Sequence, residues 1–137
     1  MGDSGVLEAK GWKEASAVCD ALSETEDELT REMVTRLADK WSLWTMAVLA
    51  EAGEPLRFTR VMEQVEGVSQ KSLTKTLRGL ERDGLITRQV FAEVPPRVEY
   101  TITALGMELL SHIEPLWMWV AKSVGRFKAA RIDFDAR

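Results

Sequence analysis

A mainly α-helical fold with one small β-hairpin is predicted by three features of this 137-residue chain. Lys71, Lys75, Arg78 and Arg82 fall on one helical stripe about 60° wide, and Leu73, Leu77 and Leu80 fall on the opposite face. A short helical segment at 58–65 and a Gly67-Val68 turn precede that helix. Two alternating, β-rich runs follow it, at 86–91 and 98–102, with Pro95-Pro96 between them. Helix, turn, helix, hairpin, helix is the order of a winged helix-turn-helix. Here an extra helix is expected at each end, and the two extra helices are expected to form a dimer interface.

Composition bounds the function. One domain fits the length, and a hydrophobic content of 45% is enough for a core. Asp3, Glu8 and Lys10 interrupt any apolar run at the start, and no stretch approaches the roughly 20 apolar residues of a membrane span, so a cytoplasmic protein with no membrane partner is expected. Cys19 is the only cysteine and His112 the only histidine. A cofactor, a multi-cysteine metal site or a Ser-His-Asp arrangement is therefore not expected, and neither is an enzyme. The net charge of −4 argues at first against nucleic acid. Its distribution reverses that reading. Residues 1–56 carry 5 basic and 12 acidic side chains, whereas residues 57–103 carry 8 basic and 6 acidic. Screening limits the reach of distant charge to about 10 Å, so the local basic stripe governs phosphate affinity.

The elements follow in order. Residues 1–12, rich in glycine at the start, read as loosely ordered, and 13–22 as a short helix. Ser23 followed by Glu26 is a capping-box pattern, opening a helix over about 24–38 with Leu29, Met33, Val34 and Leu37 at helical spacing. Residues 41–52 are apolar nearly all round, which suits a central core helix, and Gly53 and Pro55 stop it. Ser69 caps the helix at 70–82, and Gly84 ends it. Thr103 caps a long helix at about 104–127, where Pro115 is expected to kink it. Residues 128–137 read as a polar tail that frays. The organisation expected is an acidic helical arm at 1–27, a DNA-binding and dimerisation domain at 28–127, and the tail.

In a helix-turn-helix the second helix reads the major groove. Gln70, Lys71, Thr74, Lys75 and Arg78 lie on its outward face, where Gln suits adenine and Lys or Arg suits guanine. Ser69, Ser72 and Thr74 can reach phosphates, and Arg82 is placed for the backbone at the far end. Arg88 and Arg97 on the hairpin suit phosphates or the adjacent minor groove. Alone, a basic stripe opposite a leucine stripe is only a solvated helix face. Its place after the turn and before the hairpin gives it meaning. The last helix carries more apolar surface than one small domain can cover. Leu109, Ile113, Leu116, Trp117 and Val120 are the expected dimer seam, and a two-fold dimer would set its recognition helices about 34 Å apart. Trp41, Trp44 and Trp117 could instead, or in addition, line a pocket for a small-molecule effector.

Four stretches resemble the HxlR-type winged-helix regulators, relatives of the MarR group. They are Asp39-Lys40-Trp41-Ser42-Leu43, Leu56-Arg57-Phe58, the run from Val68 through Ser69-Gln70-Lys71 to Leu85, and Val94-Pro95-Pro96-Arg97-Val98-Glu99-Tyr100 closing at Leu105-Gly106. The resemblance covers about 28–120. It implies a homodimer that binds a palindromic operator in double-stranded DNA and controls transcription, as a repressor or otherwise, without catalysis. Some members sense oxidants through a cysteine ahead of the first family helix; the equivalent position here is Glu28, and Cys19 lies earlier, on the arm. Two other functions stay open on the residues: a small-molecule-sensing regulator with an aromatic pocket at the dimer seam, and a winged-helix protein-interaction module that does not bind DNA.

Overall fold

The computed structural model describes the backbone from Ser4 to Arg137, with side chains from Gly11 onward. The chain divides into two compact units, the first ending at Asp39 and the second running from Lys40 to Arg137.

The first unit is a helical pair. Helix α1 spans Ser4–Asp20 and α2 spans Glu24–Leu37. The loose start and short helix expected over 1–22 are corrected here: the helix already runs from Ser4, and Met1 to Asp3 lie outside the described residues. Leu7, Glu8, Ala9 and Lys10 are good helix formers, and together they outweigh Gly5 and Gly11. The capping box forms as the sequence predicts. Ser23 Oγ accepts from the Glu26 amide at 3.2 Å, and Glu26 Oε1 accepts from the Ser23 amide at 2.9 Å. An Asp27–Arg31 ion pair of 3.0 Å adds an i,i+4 link.

The second unit begins with α3 (Lys40–Ala52), whose Met46 and Leu49 are fully buried. Strand β1 (Leu56–Arg57) leads directly into α4 (Phe58–Gln64). After the turn comes α5 (Gln70–Arg82), then β2 (Ile86–Phe91) and β3 (Arg97–Ile102). The sheet is antiparallel in the order β1-β3-β2, with Leu56 and Arg88 both opposite Tyr100. Two residues carry no readable period, so β1 has no signal in the sequence; it covers the outer edge of β3.

Helix α6 spans Ala104–Lys122 and α7 spans Val124–Asp135. Both the single helix over 104–127 and the frayed tail over 128–137 are therefore corrected. Helix α6 continues through Pro115, and the break comes at Ser123, a buried residue whose amide donates to the Trp119 and Val120 carbonyls. Trp119 packs edge-on against Phe127, with ring centroids 5.8 Å apart. Among the described residues no helix is long and apolar enough to cross a membrane.

One junction ties the second unit together. Gly84 ends α5 with φ +74°, a conformation that favours glycine. Thr103 Oγ1 donates to the Gly84 carbonyl at 2.7 Å and accepts from the Gly106 amide at 3.1 Å, while the Thr103 amide donates to the Leu85 carbonyl at 3.0 Å. Gly106 is buried, and a Cβ there would fall on the Leu85 carbonyl oxygen and 2.7 Å from Ile102 Cγ1. The end of α5, the base of the hairpin and the start of α6 thus meet at one point.

Two outcomes follow. Thr103→Val loses the cap and the bond to Gly84 and should cost about 2 kcal/mol; Gly106→Ala should cost about 1–3 kcal/mol. Chemical denaturation measures both, and a change under about 0.5 kcal/mol in each would contradict the junction's role. In the first unit, the Ser23 amide and then its hydroxyl hold the Glu26 carboxyl below the ordinary 4.5. A lowered value means its contribution is present above that pH and is lost as pH falls through the lowered value. The helical circular dichroism of wild type should drop on acidification below pH 4.5 by more than that of Glu26→Ala.

Candidate nucleic-acid interface

Helix α5 is held from behind. Leu73, Leu77 and Leu80 are at most 2% exposed, and Thr76 joins them on the buried face. Val61 of α4, with Val65 and Val68 from the turn, are likewise buried in the core. Gly67 takes φ +87°, which lets the chain reverse between α4 and α5. Ser69 caps α5 by accepting from the Ser72 amide at 3.0 Å. Among the described residues its hydroxyl proton is given to no hydrogen bond.

The opposite face is open. Gln70, Lys71, Thr74, Lys75, Arg78 and Arg82 are all exposed, and Ser72 is half-buried. Among the described residues, none of these four cations takes part in a salt bridge. Thr74 Oγ1 donates back to the Gln70 carbonyl at 2.8 Å, which commits its proton within the helix. The six outward groups span three turns of one rigid element. Their spacing is fixed by the buried leucines behind them.

The two hairpin arginines differ. Arg88 is exposed on β2. Arg97 is turned inward: its guanidinium lies 4.0 Å from the Phe91 ring centroid, its Nη2 is 3.3 Å from Glu93 Oε1, and its Nε is 3.5 Å from Glu99 Oε2. Phe91 is its register partner across the hairpin. Sequence reasoning assigned Arg97 to phosphate and missed this bracing. The second run was read from Val98, so the pairing of Phe91 with Arg97 was not visible in the sequence.

On α6, Leu116, Trp117 and Val120 are 60%, 67% and 42% exposed, while Leu109 and Ile113 are half-buried. Trp41 and Trp44 stack with centroids 6.1 Å apart, and Lys40 Nζ sits 4.4 Å from the Trp41 centroid. Trp44 and Trp117 are exposed. A groove does form in the first unit, but none of Trp41, Trp44 and Trp117 lines it. Among the described residues, no group of three or more His, Cys, Asp or Glu side chains could hold a metal ion.

This geometry has known counterparts. Residues 36–127 match the family model of the HxlR-like helix-turn-helix. A helix-turn-helix transcriptional regulator of Methanothermobacter thermautotrophicus is 37% identical over 63% of this chain and 64% of its own length. The regulator YtfH of Escherichia coli is 30% identical over 74% of this chain and 79% of its own. A solved structure from Enterococcus faecalis, assigned to the MarR family of regulators, superposes with TM-score 0.61 at 31% identity, covering 80% of this chain and 96% of that one. The basic helix, the turn before it and the hairpin after it all lie inside the matched region. The chain belongs to the HxlR-like helix-turn-helix family of transcriptional regulators.

Proposed function

We propose that this chain works as a homodimer that reads a palindromic DNA operator, with α5 in the major groove and the hairpin against the adjacent backbone or minor groove. One observation carries the reading: a stripe of four cations that join no salt bridge among the described residues, exposed along a helix that the core holds rigid. Gln70, Lys71, Lys75 and Arg78 face the base edges, and Ser69, Ser72, Thr74 and Arg82 face phosphates. Arg88 contacts the backbone from the hairpin. Arg97 shapes the hairpin that presents Arg88. The exposed apolar side chains of α6 support a seam between two copies, with Leu116, Trp117 and Val120 at its centre.

Fluorescence anisotropy on duplex from the gene's own upstream region tests this. Wild type should bind with an affinity that falls steeply with salt, each neutralised phosphate adding about −0.9 to the log–log slope. Lys75→Glu/Arg78→Glu should lose about 100-fold or more in affinity with unchanged circular dichroism. Wild-type binding that ignores salt, or a double mutant that binds as well as wild type, would favour a protein-interaction module. Arg88→Ala should make the slope shallower by about one contact. Arg97→Ala should instead lower stability by about 1 kcal/mol, from the lost ring contact and its partly exposed ion pairs, and speed amide exchange in β2 and β3.

A further inference from the structure

The first unit holds a groove of about 780 Å3 between α1 and α2. Sites for small organic ligands occupy roughly 300–1,000 Å3. The lining residues run from Trp12 to Thr35, so all of them precede the family match at 36–127. One wall is apolar, with Trp12, Ala15, Leu22 and Val34. Trp12 and Val34 are 76% and 61% exposed, which leaves that wall open. The charged part of the lining is acidic. Asp20, Glu24 and Asp27 stand against one cation, Arg31, and Asp27 already holds Arg31 at 3.0 Å. Asp20 and Glu24 join no salt bridge among the described residues.

The charge of an occupant follows. An anion would meet two uncompensated carboxylates, and the one guanidinium present is engaged. Amides at the start of α2 that would otherwise draw an anion are taken by the capping box of Ser23 and Glu26. A metal ion does not fit either, since no group of three or more His, Cys, Asp or Glu side chains among the described residues could hold one. A cation with an apolar body matches both walls. Asp20 is the last residue of α1, where the helix dipole adds negative potential to its carboxylate. An indole face attracts a cation and stacks on a ring. We infer that the groove binds an amphipathic organic cation, an ammonium or phosphonium carried on an aromatic or alkyl body. The charge lies toward Asp20 and Glu24, and the body lies against Trp12 and Val34. This site is independent of the DNA reading of α5, and its test needs no DNA.

Tetraphenylphosphonium and tetraphenylborate share a shape and differ in the sign of their charge, so the pair separates charge recognition from apolar partition. Cys19 reports occupancy, because it is the only thiol, is exposed and lines the groove. Its alkylation by neutral iodoacetamide is followed by intact mass. At ten times its half-protecting concentration, tetraphenylphosphonium should slow the reaction by about tenfold, as mass action requires. Tetraphenylborate should leave the rate within about twofold, since like charge opposes its entry. Asp20→Asn/Glu24→Gln should raise the half-protecting concentration of the cation about fivefold at low salt and by less at high salt. Trp12→Ala should raise it by about as much. Comparing rates with and without ligand for each variant cancels any change in thiol acidity, and circular dichroism checks that the helices remain. Equal protection by both ions, or protection that the two carboxylate changes leave untouched, would overturn the site. So would a rate that neither ion alters. A Cys19 that resists iodoacetamide before any ligand is added, yet reacts in denaturant, would show the groove filled by protein and would overturn it as well.

Discussion

Everything that could touch DNA in this chain is placed by the Gly84–Thr103–Gly106 junction. Thr103 satisfies the carbonyl at the end of α5 and the amide at the start of α6 with one hydroxyl. Gly106 lets the α6 backbone approach the Leu85 carbonyl more closely than a Cβ would allow. Helix α5, the hairpin and α6 therefore cannot move independently without breaking a bond or opening a gap.

The division of labour on α5 follows from magnitudes. Removing one buried leucine from such a core costs about 2–5 kcal/mol, whereas an exposed surface ion pair is worth about 0–1 kcal/mol. Leu73, Leu77 and Leu80 thus fix the helix, and the cations opposite them are nearly free of structural duty. Leaving Lys71, Lys75, Arg78 and Arg82 unpaired costs little stability and keeps them available to an anion. The hairpin handles its arginines differently. Arg97 is taken up by Phe91, Glu93 and Glu99, which stiffens a tip whose Val94 is fully exposed.

Helix α5 was readable residue for residue, because a leucine period, a serine cap and a terminating glycine agree on its ends. The hairpin was readable from alternation. Three things were not. Strand β1 is too short to show a period, and it exists because β3 offers it an edge. The break at Ser123 has no proline, and it arises where a small side chain is buried and Trp119 meets Phe127. The bracing of Arg97 by Phe91, Glu93 and Glu99 was not visible either, because a sequence lists charges without their neighbours. The apolar excess of 104–127 was legible as surplus. Which partner covers it is a matter for a second chain.

Dimethyl sulfate protection on the bound duplex measures most directly whether α5 reads bases, because the reagent attacks guanine N7 in the major groove. Two protected patches about 10–10.5 base pairs apart are expected, one for each recognition helix. Unprotected N7 positions under saturating protein, or protection confined to the minor groove, would contradict the placement of α5.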